Sequence, residues 1–260
     1  MKRQRRRPFV DLQHAEIQQA VVPRLFLSRF DAAALRVELS EAGVIGGLAG
    51  SGYAEIEIET EYAGGEHRLR IDAVGGGPSL LDLRLAEGAT LADEPLLRRH
   101  GLDVMSFLSI HWLSLQHPNG EYREDRPQLP GQRYPGLGLA KPVIRRLLKW
   151  AESWGKDGLL NLPEYYHNAV FYAPIFKFLS AERQGRFEAL RRDAKLLHVA
   201  QASAAVAQGR VIEEPWGAPL VWEPGEMIAP LTDATRGYLE SPAYVTAVAR
   251  ARDAARFRLR

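Results

Sequence analysis

The chain has 260 residues, 46% hydrophobic and 25% charged, an ordinary globular composition that excludes a fibrous or low-complexity protein. It holds no cysteine, which excludes disulfides and thiolate chemistry. The 34 basic and 32 acidic residues leave a net +2, but five basic residues crowd into Lys2, Arg3, Arg5, Arg6 and Arg7, so the rest carries 34 minus 5, or 29, against 32, a net −3.

No run approaches the roughly 18 consecutive apolar residues of a membrane span, and the N-terminus lacks the apolar segment of a secretory signal. A cytoplasmic protein with no membrane partner is the expectation. Residues 1–14 read as a basic, disordered and solvated arm. With no aromatic platform beside it, nucleic acid is the weaker expectation for a partner.

After the arm, Asp31 as N-cap and Gly43 as a stop frame a short helix, DAAALRVELSEAG. Gly46 to Gly52 reads as a glycine-rich loop. YAEIEIETEY then alternates, with Ala54, Ile56, Ile58, Thr60 and Tyr62 on one face and Glu55, Glu57, Glu59 and Glu61 on the other. HRLRIDA places Arg68 and Arg70 opposite those glutamates, which predicts an antiparallel hairpin with cross-strand charge pairs. SLLDLRL supplies a third strand, and Ser109 to Gln116 is read as a fourth. Val143, Ile144, Leu147, Leu148, Ala151 and Trp154 form one helical stripe, with Pro142 in the first turn and Gly155 at the C-cap. GLLNL is a short buried strand, and EYYHNAVFYAPIFKFL a helix broken or bent at Pro174. A long helix is expected from Ser180 to about Gln208, then a hairpin of VIEE and LVWE around PWGAP. Ser241 and Pro242 start a last helix, on which Arg250, Arg252, Arg256, Arg258 and Arg260 form a solvated face.

The fold class is therefore α+β (mixed α/β): an antiparallel N-terminal meander joined to a strand-loop-helix-strand-helix unit. A core is expected over residues 15–180, and over 181–260 a C-terminal helical extension with a hairpin packed on the core.

The run LPGQRYPGLGLAKPVIRRLLKWAESWG, Leu129 to Gly155, puts Pro130, Gly131, Pro135, Gly136 and Gly138 at the mouth of a helix. A helix N-terminus offers unpaired amides and the positive end of the dipole, and glycines let a phosphate approach them. The three-glycine dinucleotide pattern is not met, since Lys141 stands where its third glycine belongs, and there is no phosphate-loop Gly-Lys-[Ser/Thr].

Arg133-Tyr134-Pro135-Gly136-Leu137-Gly138 resembles instead the coenzyme A signature of the GNAT superfamily of acyl-CoA-dependent N-acyltransferases: Gln or Arg, two residues, Gly, one residue, Gly or Ala. Asn168 and Ala169 ahead of Tyr172, with Phe176 and Phe178 beyond, are similar to that family's second signature. The resemblance covers about Ser109 to Phe178. It implies a GNAT-like central mixed sheet whose splayed strands take the pantetheine, with acetyl-CoA or another acyl-CoA as co-substrate and no metal. It also implies that Gly136, Leu137 and Gly138 give amides to the pyrophosphate, with Gln132 and Arg133 beside them. Asn168 would face the pantetheine, and Tyr172 would protonate the departing thiolate. An amine acceptor would attack the thioester directly, and it must be neutral to do so, which calls for a base: Glu164, His111 and His117 are candidates.

Two alternatives stay open: a non-catalytic module of the same fold used for binding or assembly, and nucleic-acid binding through the arm. The acceptor, the acyl chain length and assembly as a monomer or homodimer are not fixed by these residues. Glu164 and His167 share the Glu-x-x-His spacing of carboxylate di-metal sites, but the second copy such a site needs is missing.

Overall fold

Charge alternation builds the first edge of the sheet. In the computed structural model, which describes residues 25–90, 95–102 and 104–260, β1 (Ile56–Ala63) and β2 (Glu66–Ala73) pair antiparallel. The expected arm at residues 1–14 lies outside the described residues. Glu59 stands opposite Arg70 and Glu61 opposite Arg68, as the alternation predicts, at 3.3 Å and 4.0 Å. Arg68 also grips Asp82 of β3 (Leu81–Thr90) with two bonds of 2.9 Å. The other face buries Leu69, Ile71, Leu81, Leu83 and Leu85. After the short α3 (Pro95–Arg99), β4 (Val104–Leu115) completes the meander, starting at Val104 rather than Ser109.

Ahead of the meander, α1 (Ala32–Glu41) starts as expected on Asp31, whose carboxylate accepts from the Ala34 amide at 2.8 Å. The glycine-rich stretch expected as a loop is instead a helix, α2 (Val44–Gly50). Val44 and Leu48, one turn apart, are both fully buried. Burying two such side chains, at about 1.5–3 kcal/mol each, outweighs roughly 1 kcal/mol lost per glycine. Gly47 has a further reason: a Cβ there would sit 2.4 Å from Leu139 Cδ2.

The crossover helix, α4 (Ala140–Ser153), buries Val143, Ile144, Leu147, Trp150 and Ala151. It leads to β5 (Gly158–Asn161), which runs parallel to β4 with Phe107 beside Gly158 and Ile110 beside Asn161. α5 (Tyr166–Tyr172) stops rather than bends at Pro174, which has no amide to continue the helical ladder, and the chain passes into β6 (Lys177–Phe178).

The single long helix expected after Ser180 is two. α6 (Ala181–Asp193) ends where the Asp193 carboxylate accepts from the Phe257 amide at 2.9 Å. α7 (Val199–Ala207) restarts on a capping box made by His198 and Gln201. The hairpin keeps its first arm, β7 (Val211–Glu214), but its second is β8 (Ala218–Pro219), not LVWE. Of that segment only Leu220 stays with the hairpin, its amide donating to the Val211 carbonyl at 2.7 Å, and the Trp222 indole donates to the Pro163 carbonyl at 3.1 Å. β9 (Met227–Pro230) inserts between β5 and β6, antiparallel to both. α8 (Asp233–Glu240) and α9 (Pro242–Ala254) follow, the latter capped by Ser241 as the sequence suggests. Arg256 and Arg258 stand not on that helix but in β10 (Arg256–Leu259), which pairs with β7.

The architecture is thus a mixed sheet in the order β1-β2-β3-β4-β5-β9-β6, with a small second sheet, β10-β7-β8. Residues 181–260, expected as a helical extension with a hairpin packed on the core, supply one strand of the central sheet, β9. At the start of the parallel pair one residue ties several elements: the Asp157 carboxylate accepts from the Ser106 amide at 2.7 Å, and its carbonyl accepts from the Leu231 amide and the Thr235 hydroxyl, both at 3.0 Å.

Candidate functional site

The other end of the parallel pair opens. β4 and β5 are paired only from Phe107 to Ile110. There a bulge interrupts β4: Leu85 pairs with Ile110 and Arg84 with Trp112, leaving His111 as the extra residue. A bulge bends its strand and re-aims it. β5 in turn ends at Asn161, and the buried Pro163 carries the chain away. Farther along, the loop before α4 meets β4 again: Gln116 bridges Gly136, and the His117 amide donates to the Pro135 carbonyl at 2.8 Å. Between Ile110 and Gln116, then, β4 keeps its β3 partner on one edge while β5 no longer covers the other.

A cleft of about 280 Å³ occupies this gap. Ile110 and Asn161 line it where the strands part. Trp112 and Leu113 come from β4, Gln132, Arg133 and Tyr134 from the loop, and Glu164, Asn168 and Tyr172 from the segment after β5. Five of the residues expected at a coenzyme site, Gln132, Arg133, Glu164, Asn168 and Tyr172, are therefore brought around one cavity. Gly136, Leu137 and Gly138 are not among its lining residues. They lie just beyond it, where Gly138 at φ 75° turns the chain into α4. Leu139 ahead of that helix gives no side-chain cap, so the first amides of α4 are not closed by the residue that usually closes them.

Each predicted side chain has a definite setting. The Gln132 carboxamide oxygen accepts from the Leu129 amide at 3.2 Å, so this side chain holds its own loop. Arg133 is exposed, its guanidinium 5.5 Å from the centre of the Tyr134 ring. Gly131, at φ 78°, lies so close under Tyr165 that a Cβ would meet the ring at 2.6 Å. Glu164 is exposed and Asn168 half-buried. Burial pushes the Tyr172 phenol up to about 12, which keeps it protonated and able to donate. His167 is buried, hydrogen-bonds Ser203 at 2.8 Å and is pushed down to about 4 by desolvation, so its imidazole is neutral.

Comparison with family models, with curated proteins and with solved structures finds no match. The site must be read from its own chemistry.

Of the other base candidates, His111 lines the cleft but meets Glu66 at 2.6 Å, and His117, outside the lining, meets the Tyr53 hydroxyl at 2.8 Å. Among the described residues no group of three or more histidine, aspartate and glutamate side chains gathers to hold a metal ion, and no helix is long and apolar enough to cross a membrane. Two contributors escaped the sequence reading. Trp112, read as a packing residue, is 44% exposed and lines the cleft. Asn161 lines it too, and its one signal is a polar residue inside the apolar run GLLNL.

Proposed function

We propose that this protein is an acyl-CoA-dependent N-acyltransferase that passes an acetyl or other acyl group to an amine by direct attack on the thioester. The observation that carries the reading is the parting of β4 and β5 beside an uncapped helix mouth. An extended arm would lie along the uncovered edge of β4, while its phosphates would meet the amides just ahead of α4, at Gly138 and Leu139, with the exposed Arg133 as a counter-charge. Tyr172, protonated in the cleft wall, is the group to return a proton to the departing sulfur, and Glu164 is the carboxylate left to accept one from the amine, directly or through water. A meander, a crossover helix after the parting strand and a strand closing the sheet from the C-terminal side agree with the GNAT-like arrangement the motifs suggest.

The test is a thermal-shift series with short acyl-CoA esters. Acetyl-CoA should raise the melting temperature, and Gly136→Trp should remove the rise without unfolding the free protein, because a Cβ at Gly136 meets only the Leu115 carbonyl, at 3.8 Å. No shift with any acyl-CoA sinks the proposal. One observation favours a second reading, a binding module without turnover: two of the three base candidates are already engaged by Glu66 and Tyr53. That reading requires coenzyme binding with no acyl transfer to any amine.

A further inference from the structure

Asn161 is a polar residue of the cleft wall to which the proposed reaction gives no role. β5 is four residues long and buried throughout; Gly158, Leu159 and Leu160 are apolar and Asn161 is 4% exposed. Its backbone lies in the ladder between Ile110 on one side and Met227 on the other. The carboxamide is another matter: both Oδ1 and Nδ2 are buried, and neither has a hydrogen-bond partner among the described residues. Asparagine is also a poor strand residue, so leucine at this point would serve the fold better on both counts. Two polar side chains of the cleft wall are committed elsewhere, His167 to Ser203 and Gln132 to Leu129. Buried polar groups in native proteins are almost always paired, and those that break local rules concentrate at functional sites.

We infer that Asn161 is a recognition residue that pairs with an amide of a chain lying in the cleft, Oδ1 accepting from its N–H and Nδ2 donating to its C=O. A carboxamide presents an acceptor and a donor side by side in one plane, and an amide is the group that answers both. A carboxylate would leave Oδ1 facing another acceptor, and an ammonium would leave Nδ2 facing another donor. The uncovered edge of β4 beside it suits an extended chain of the same kind. The inference rests on the acyl-CoA reading of this cleft, and two sources carry the chemistry: the amide-bearing arm of the coenzyme and a peptide-like acceptor.

Calorimetric titration of the full chain with coenzyme A, with adenosine 3′,5′-bisphosphate, which lacks the arm, and with a capped dipeptide separates them. Asn161→Leu should raise the melting temperature of the free protein by roughly 2–4 °C, because an unpaired polar group has been removed. The same change should weaken coenzyme A or the dipeptide about tenfold or more, whichever supplies the amide, and leave the bisphosphate unchanged. Asn161→Ser, smaller and still polar, gives the same comparison if leucine is not accommodated. Undiminished binding of both amide ligands by a folded variant overturns the inference and leaves the acyl-CoA reading standing. If the wild type binds no coenzyme A, the acyl-CoA reading falls by itself and the dipeptide arm decides Asn161; if the wild type binds neither, both are wrong.

Discussion

The two ends of the β4–β5 pair differ in how they treat polar groups. At the Phe107–Gly158 end, Asp157 draws Ser106, Leu231 and Thr235 into one knot in which carboxylate and carbonyl are both used. At the Ile110–Asn161 end a bulge turns β4 aside, a proline carries β5 away, and a carboxamide has no partner among the described residues. Hydrogen bonds close one end, and the other is open. Asp157, just ahead of β5, and Asn161, at its end, stand four residues apart.

That contrast can be broken at either end. The largest effect is expected at the open one: Tyr172→Phe should lower the acyl-transfer rate by about 10²- to 10⁴-fold while coenzyme affinity, read by calorimetry, stays near wild type. With the phenol pushed up to about 12, Tyr172 itself should cause no loss of rate in the ordinary alkaline range, so any basic limb in the pH–rate profile belongs to another group. At the closed end, Asp157→Ala should cost about 2–3 kcal/mol in urea denaturation, since it leaves the buried strand start without its charged acceptor.

A smaller effect separates pH from packing. His167 is held at about 4 against an ordinary 6.5, so between those values the unfolded chain takes a proton that the folded chain refuses. Its contribution is full above about 6.5 and declines as the pH falls toward about 4. Urea titrations at about pH 7 and about pH 5 should show that decline, and His167→Gln should flatten it. The smallest effect is expected far from both ends. Glu59 is 59% exposed at its side chain, and Glu59→Gln should change stability by no more than about 0.5 kcal/mol, the ordinary worth of a surface pair.

What the sequence made legible was whatever is written in short range. The alternation of β1 and β2, the stripe of α4 and the Asp31 and Ser241 caps all depend on neighbours within a turn or a strand. β6 and β9 were not legible, because strands of two and four residues carry no period and β9 meets its partners across about fifty positions or more. The helix through Gly46, Gly47 and Gly50 was hidden by its own glycines, of which Gly47 is required by the close approach of Leu139. At the cleft the expected residues were mostly right in neighbourhood and wrong in detail. The lining comes from residues 130–134, ahead of the motif's glycines, since the loop folds back on β4 at Pro135 and Gly136 before it enters the helix.

The insertion of Met227–Pro230 between β5 and β6 also governs the order in which the molecule can be assembled. A nascent chain released only as far as residue 180 exposes one whole edge of β5, and leaves β6, whose sole sheet neighbour among the described residues is β9, with nothing to hold. The ribosome must deliver nearly fifty further residues before the middle of the sheet is sealed, and until then the two bare edges invite pairing with another chain. Protein made by slow synthesis, or cut short before Met227, should therefore be the most prone to aggregate.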